Sequence, residues 1–292
     1  MADNDSTKKT RAHLAPVRHV QHDFFIADTF DCSLKDDMAS MEHPVFALKA
    51  GDTRDRLYSH NGVSIAVRAT SVGLPTIFDK DLWIYCISKL VAAINNGEPI
   101  SRTINFTAYD YLVTTNRDTS GRAYLDLKNS LERLKGTSIT TNIETAGKRE
   151  AAGFGLIDSW RIIEEKNERM VYLQVTLPNW LYRAVSALEV LTISPDYFRI
   201  RKPLDRRIYE LARKHCGNQP SWSISLDLLL NKSGSTTTLR EFRRSIKSLA
   251  ESDDLPDYRV RYDPIKDIVI IYNLGKKGAL AEIKKLYGKR KI

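Results

Sequence analysis

The chain has 292 residues, of which 42% are hydrophobic and 28% are charged, so it is long enough for about two folded domains. It has no apolar run of membrane-spanning length, its first ten residues lack the apolar core of a signal peptide, and its three cysteines lie too far apart for a zinc ribbon or a disulfide framework. We therefore expect a cytoplasmic protein with no metal and no cofactor. The formal net charge of +9 favours a polyanionic partner.

The first 44 residues are polar, mixed in charge and without sustained periodicity, which predicts a mobile arm at residues 1–44. After this arm, two alternating segments at residues 56–60 and 63–67 flank Asn61-Gly62. This dipeptide tolerates the positive φ angles of a type I′ turn, so the pattern predicts a β-hairpin.

Two stretches of the chain then repeat one order of predicted elements: helix, strand, short helix, small-residue turn and long helix. In the first stretch the helices begin near Asp79, Thr107 and Arg122, and the strand covers residues 103–106. In the second stretch the helices begin near Leu204, Ser225 and Thr238, and the strand covers residues 222–224. This order predicts two similar structural units.

The two long helices carry the clearest sign of the repeat. In each helix the large apolar residues step by three, four and three positions, which places them on one buried face. They are Tyr124, Leu127, Leu131 and Leu134 in the first helix, and Leu239, Phe242, Ile246 and Leu249 in the second. Thr238 and Glu241 also have the spacing of a capping box at the start of the second helix.

Strand-like segments follow each long helix. They cover residues 138–145 and 154–164 around Gly147, and residues 258–262 and 268–272 around Asp263-Pro264. Two helices and a turn followed by a β-hairpin make a winged helix, so we predict an α+β chain with two tandem winged-helix domains. The predicted parts are the arm at 1–44, a β-hairpin and first winged-helix domain at 45–177, a packed connector at 178–202, and a second winged-helix domain with a basic tail at 203–292. A dimer contact is the alternative for the connector.

A winged helix has a clear use on double-stranded DNA, because a helix fits the major groove and a basic hairpin reaches the backbone or the minor groove. The candidate contacts of the second unit are Thr237, Thr238, Arg240, Arg243, Arg244 and Lys247 on the helix, and Arg259, Arg261 and Lys266 on the wing. Strand alternation predicts that Arg259 and Arg261 share the exposed face of the wing. A solvated charged face is the alternative interpretation.

The first unit has a weaker basic face. Its candidate contacts are Ser120, Arg122, Lys128, Asn129 and Arg133 on the helix, and Lys148 and Arg149 at the wing tip. Leu125 lies among them and suits either a thymine methyl group or a partner subunit. Ser120, Thr237 and Thr238 suit either DNA phosphates or ordinary helix caps.

Several longer segments carry a resemblance to a known family. They are Met41–Pro44, His60–Ser64, Asp79–Asp81, Gly153–Trp160, Tyr209–Gly217 and Leu239–Arg244. In these segments the chain resembles plasmid replication initiators of the replication initiator protein A type, related to two-winged-helix proteins that bind iterons. The resemblance implies a bacterial, plasmid-associated protein that binds direct repeats at an origin, helps to open the duplex and recruits host replication proteins such as the replicative helicase or initiator. It also implies autorepression, plasmid copy control and a possible homodimer.

Two other functions compete with this hypothesis. A transcriptional repressor would use the same two units on one operator, often an inverted site, whereas an initiator needs an array of direct repeats. A nicking nuclease would need a tyrosine beside a metal held by a His-hydrophobic-His pair, and the six histidines contain no such pair. Gly147-Lys148 and Gly275-Lys276 also lack the other residues of a phosphate-binding loop. We therefore expect a protein that is not an enzyme.

Overall fold

The computed structural model describes residues 14–19, 33–60, 62–142, 144–145, 148–149, 152–164 and 170–287, and it has the predicted α+β composition. Asn61 and Gly147, which the sequence places in hairpin turns, lie outside these ranges, as do the last basic residues, 289–291. Within the described ranges, no helix combines the length and the apolar composition needed to cross a membrane.

The helices and strands follow the chain in two stretches. The first contains β1 (Lys35–Asp37), α1 (Met38–Glu42), β2 (Arg56–His60), β3 (Val63–Arg68), α2 (Lys80–Asn95), β4 (Thr103–Phe106), α3 (Ala108–Thr114), α4 (Gly121–Gly136), β5 (Ser138–Thr141), β6 (Glu144–Thr145), β7 (Lys148–Arg149), β8 (Ala152–Gly155), β9 (Ser159–Glu164), β10 (Met170–Thr176), α5 (Asn179–Ser186) and β11 (Val190–Thr192). The second contains a 3₁₀ helix (Pro195–Arg199), α6 (Pro203–His215), β12 (Ser221–Ser225), α7 (Leu226–Ser233), α8 (Leu239–Ser252), β13 (Tyr258–Asp263), β14 (Ile268–Asn273) and α9 (Lys276–Tyr287).

The same sheet topology occurs twice. The first unit, from α2 to β10, has a sheet of order β4-β10-β9, and the second unit, from α6 to β14, has a sheet of order β12-β14-β13. All of these strand pairs are antiparallel. In each unit the first strand precedes a short helix and a long helix, and the last two strands pair with each other. The repeat that the long helices predict therefore extends to the sheets.

The long helices bury the faces that their apolar spacing predicts. Leu127, Leu131 and Leu134 of α4 are buried in one hydrophobic cluster, and Phe242 and Ile246 of α8 are buried in another. Each such side chain contributes about 1.5–3 kcal/mol relative to an exposed one. The polar faces of both helices consequently point to solvent.

The predicted wing of the first unit, with strands at 138–145 and 154–164, is wrong. β5 and β8 do pair, but they extend the β2–β3 hairpin into a sheet of order β2-β3-β5-β8. The chain then turns at Leu156 and Ile157, which are fully buried, and Trp83 Nε1 donates to the carbonyl oxygen of Leu156 at 2.8 Å. β9 pairs with β10 instead, with Ile163 opposite Tyr172. The hairpin that corresponds to β13–β14 is therefore β9–β10, and residues 138–155 form an inserted layer.

The prediction that residues 1–44 form a mobile polar arm is wrong for the described part of that segment. β1 pairs with β11, and Met41 of α1 has no exposed surface. Leu14 is also buried and forms a β-bridge with Ile200. Because these apolar residues are isolated among polar ones, they produce no periodicity along the sequence. They become buried only because the rest of the chain supplies a surface for them.

A buried cluster of charges joins the two units. Lys80 Nζ of α2 lies 2.7 Å from Asp36 Oδ2 and 3.0 Å from Glu210 Oε1, and Arg207 Nη1 lies 3.0 Å from Glu210 Oε2. Their side chains are at most 3% exposed. Burial raises the pKa of Asp36, and the ammonium group of Lys80 opposes this shift. Such charges require well-defined partners, so the cluster specifies how β1, α2 and α6 fit together.

Candidate nucleic-acid interface

Reciprocal hydrogen bonds fix the start of α8. The backbone N–H of Glu241 donates to Thr238 Oγ1 at 3.3 Å, and the backbone N–H of Thr238 donates to Glu241 Oε2 at 3.1 Å. This geometry confirms the predicted capping box. The bonds from Thr238 hold the pKa of Glu241 below its ordinary value. Thr237 is exposed just before the cap, with its hydroxyl 2.9 Å from that of Ser235.

The face of α8 opposite its buried residues is basic. Arg240, Arg244 and Lys247 are exposed there, as their spacing predicts. Arginine can hold guanine O6 and N7 with two hydrogen bonds, whereas lysine acts as a point charge suited to phosphate. This face has the chemistry that a major-groove helix needs.

Arg243 lies at the edge of that face and contacts the β13–β14 hairpin. Its Nη2 is 2.8 Å from Asp267 Oδ2, and its Nε donates to the hydroxyl of Tyr262 at 3.1 Å. The ammonium group of Lys247 lies 5.4 Å from the centre of the Tyr262 ring. The guanidinium group of Arg243 holds the pKa of Asp267 below its ordinary value. Arg243 therefore connects α8 to the β13–β14 hairpin.

The turn of this hairpin presents an apolar and a basic side chain side by side. Ile265 is 92% exposed and Lys266 is exposed next to it. Asp263 Oδ1 accepts from the backbone N–H groups of both residues, at 3.0 Å and 3.2 Å. The sequence-based selection includes Lys266 and misses Ile265, although an isoleucine after Asp263-Pro264 is a recognisable signal of an exposed apolar tip.

The prediction that Arg259 and Arg261 line an exposed wing face is wrong. They do share one face of β13, but Ile270 and Tyr272 of β14 lie on the same side of the sheet and are buried. Helix α9 packs on β14, and its Glu282 pairs with Arg259 at 3.0 Å and with Arg261 at 2.9 Å. The two arginines attach α9 to the sheet.

In the first unit, exposed polar side chains line one face of α4. Arg122, Lys128 and Asn129 are exposed, and Arg122 Nε lies 3.1 Å from Asp126 Oδ1 of the next turn. Ser120 is the N-cap of α4 and its side chain makes no capping hydrogen bond. Leu125 lies on the same face with about half of its surface exposed.

Arg133 lies at the far end of α4 and contacts α2. Its Nε and Nη2 donate to the two carboxylate oxygens of Asp79 at 2.9 Å and 2.7 Å. Asp79 is also the N-cap residue of α2. The structure therefore places Arg133 in a contact between helices, with only 24% of its side chain exposed.

Lys148 and Arg149 do not belong to β9–β10, the hairpin of the first unit that corresponds to β13–β14. They form β7, which pairs with β6 beyond the inserted β5–β8 layer. Their predicted place at a wing tip follows from the wrong assignment of residues 138–164. The hairpin in the wing position, β9–β10, presents Arg161, Ile163 and Tyr172 as exposed side chains instead.

Comparison with known sequences gives one family. The sequence model of the family described as Replication initiator protein A matches residues 35–260. A protein of Wigglesworthia glossinidia brevipalpis that bears the name "Putative replication protein" is 49% identical over 252 residues, which are 85% of this chain and 92% of that protein.

Two solved structures have a similar fold. The crystal structure of RctB domains 2-3 matches 83% of this chain and 99% of its own, with a TM-score of 0.54 and 13% identity. A second structure of domains 2 and 3 of RctB matches 81% of this chain and 96% of its own, with a TM-score of 0.52 and 13% identity. At this identity the match concerns the fold alone. The family match and the relative at 49% identity carry the assignment: this chain belongs to the replication initiator protein A family.

Proposed function

We propose that both units are winged helices and that the chain is a sequence-specific, double-stranded DNA-binding initiator of plasmid replication. It binds direct repeats at an origin, promotes opening of the duplex and recruits host replication proteins. The observation that carries this proposal is the exposed basic face of α8, formed by Arg240, Arg244 and Lys247. It lies opposite the buried Phe242, Ile246 and Leu249. Membership of an initiator family supports the same function.

In this mechanism α8 enters a major groove and α4 enters the next one. Arg240 reads a guanine edge, and Arg244 and Lys247 contact phosphate. Thr237 and Ser120 lie at the starts of the two helices, where free backbone N–H groups also attract phosphate. Lys266 reaches the backbone from the β13–β14 turn, and Arg122, Lys128 and Asn129 supply the contacts of α4.

We further propose that the chain opens DNA without catalysing a reaction. The energy would come from binding, because bending a site of this size costs about 1–6 kcal/mol and additional phosphate contacts can offset that cost. Incubating supercoiled DNA with the protein and Mg²⁺ tests this proposal. Intact supercoils are expected, and a nicked product would identify a nuclease instead.

Footprinting of the purified protein on the DNA that flanks its own gene tests the main proposal. If two helices of one molecule enter successive grooves about 10–10.5 bp apart, each copy should protect roughly two helical turns. Protected segments that repeat head to tail beside an AT-rich region would support the initiator. One inverted site over a promoter would favour a repressor, and an absence of specific protection would contradict sequence-specific binding.

A further inference from the structure

A cleft of about 390 Å³ lies between the start of α4 and the linker, residues 177–202, that connects the two units. Ser120 and Arg122 of α4 form one wall, and Arg199 and Arg201 of the linker form the opposite wall. Arg18, from the segment ahead of β1, lines the same space. We call this space the basic cleft. It adjoins the helix that carries the proposed DNA contacts of the first unit.

The segment at residues 14–19 is held in place across this cleft by backbone contacts. Ala15 N donates to the carbonyl oxygen of Arg199 at 2.8 Å, and Arg199 Nε donates to the carbonyl oxygen of Ala15 at 2.8 Å. At the other wall, Arg18 N donates to Asn116 Oδ1 at 2.8 Å, and Asn116 Nδ2 donates to the carbonyl oxygen of Pro16 at 3.1 Å. The segment therefore bridges the linker and the α3–α4 turn, and it positions Arg18 without using the Arg18 side chain.

All four of the other arginines that line the basic cleft have carboxylate partners. Arg117 and Arg206 both contact Asp81, at 2.9 Å and 2.5 Å. Arg122 pairs with Asp126 at 3.1 Å. Arg199 pairs with Asp196 at 2.6 Å, and both of these residues lie in the 3₁₀ helix.

Arg18 and Arg201 differ from these arginines. Both are exposed, and neither has an ion-pair partner in the described part of the chain. They come from two different segments and line one cleft, so they present two positive charges to the same space. The lining holds six arginines and three aspartates, so the cleft has an excess of positive charge. This excess fits the phosphodiester groups of nucleic acid, which accept paired N–H donors and neutralise the charge.

We propose that Arg18 and Arg201 bind backbone phosphates of the duplex between the two major-groove segments that α4 and α8 occupy. This inference rests on the proposed function. The basic cleft shares Ser120 and Arg122 with the end of α4 that is proposed to bind DNA. A duplex bound by α4 therefore lies next to the opening of the cleft. The linker joins the first unit to the second, and in this proposal its Arg201 faces the backbone that crosses between the two grooves. The cleft thus gives the N-terminal segment and the linker a direct part in binding DNA.

The test compares the wild-type chain with the Arg18→Ala/Arg201→Ala variant on a duplex that carries the footprinted site. Each lost phosphate contact should weaken binding about fivefold at 150 mM salt and flatten the slope of log K against log salt by about 0.9. The double variant should therefore bind about 25-fold more weakly, with a slope flatter by about 1.8. Hydroxyl-radical cleavage should show that the backbone between the two grooves loses protection, whereas methylation should show that guanine N7 protection in both grooves is kept.

Two further variants separate a phosphate contact from other effects. Arg18→Lys/Arg201→Lys keeps both charges and should keep most of the slope. Lys284→Ala/Lys285→Ala removes two exposed charges from α9 and should leave the protection between the grooves intact. The inference would be overturned if Arg18→Ala/Arg201→Ala kept full protection of the backbone between the grooves. An equal loss of that protection in Lys284→Ala/Lys285→Ala would also overturn it. Neither result would affect the footprint of the wild-type chain or the proposed function. If the wild-type chain gives no footprint, the proposed function fails, and this inference fails with it.

Discussion

Arg243 of α8 and Asp267 of the β13–β14 turn form a two-point contact, with Nη2–Oδ2 and Nε–Oδ1 distances of 2.8 Å and 3.2 Å. One residue belongs to the helix proposed to enter the major groove, and the other belongs to the hairpin beside it. The pair therefore sets the angle between the two elements. It also balances the charge of Arg243, which distinguishes this arginine from its neighbour Arg244.

The different positions of these two arginines predict different effects on DNA binding. Arg244→Ala should flatten the dependence of log K on log salt by about 0.9, because an exposed charge on the basic face is lost. Arg243→Ala should change the slope by less than half as much, since the Asp267 carboxylate already neutralises that charge. Titrations of the footprinted duplex at several salt concentrations measure both slopes. Equal changes in the two variants would contradict the assignment of Arg243 to a contact within the protein.

Arg259 and Arg261 should affect folding more than DNA binding. Removing either guanidinium group leaves Glu282 with one partner fewer in a site where its side chain is only 7% exposed. We expect Arg261→Ala to lower the free energy of unfolding by about 2 kcal/mol and to speed amide hydrogen exchange in α9. The slope of log K against log salt should stay at the wild-type value. A flatter slope of log K against log salt, together with unchanged amide hydrogen exchange in α9, would indicate that Arg261 contacts DNA.

Lys80 should be the most sensitive residue of the junction between the units. Lys80→Met removes the cation that both Asp36 and Glu210 contact and leaves those carboxyl groups buried. Breaking a buried ion pair from one side costs about 3–5 kcal/mol, which urea unfolding would detect as a lower midpoint. Lys89→Met is the matched control, because Lys89 lies on the same helix and is partly exposed. A loss below about 1 kcal/mol for Lys80→Met would argue against a structural role for the cluster.

The burial of His43 predicts that the protein loses stability in acid. Burial lowers the pKa of His43 to about 4, whereas an exposed histidine titrates near 6.5. Between these values the unfolded chain binds a proton that the folded chain does not. The contribution of neutral His43 is therefore complete above about pH 6.5 and is lost as the pH falls toward 4. Between pH 7.5 and 5 the loss should be about 2 kcal/mol.

The His43→Leu variant isolates this effect, because leucine keeps the site apolar and does not titrate. Urea unfolding at pH 7.5 and at pH 5 gives the two stabilities for each protein. The wild-type chain should lose about 2 kcal/mol more than the variant over this range. Parallel losses in both proteins would assign the acid sensitivity to groups other than His43.

The elements that depend on neighbouring residues could be predicted from the sequence. The capping box of Thr238 and Glu241 involves residues three positions apart, and the buried faces of α4 and α8 follow from helical spacing. The basic face of α8 follows from the same spacing. These features need no information about the rest of the fold, and the structure has all of them.

Features that depend on distant partners could not be predicted in this way. Arg133 meets Asp79 from another helix, and Arg259 meets Glu282 from a helix that follows the sheet. An arginine in the sequence looks the same whether its partner is a phosphate or a carboxylate. The predicted first wing is wrong for a related reason. The sequence pattern of residues 154–164 is typical of one continuous strand, and only the burial of Leu156 in the interior shows that the chain turns there.

The buried charge cluster between the units has a consequence for the DNA sites themselves. Charges that must meet at about 3 Å allow little rotation of one unit against the other, so the two helices should read their grooves at one fixed phase. Inserting a single base pair between the two halves of a site turns one half by about 35° relative to the other, since B-DNA has about 10–10.5 bp per turn. This protein should therefore tolerate base substitutions at the centre of a DNA repeat far better than insertions or deletions that change the length of the repeat.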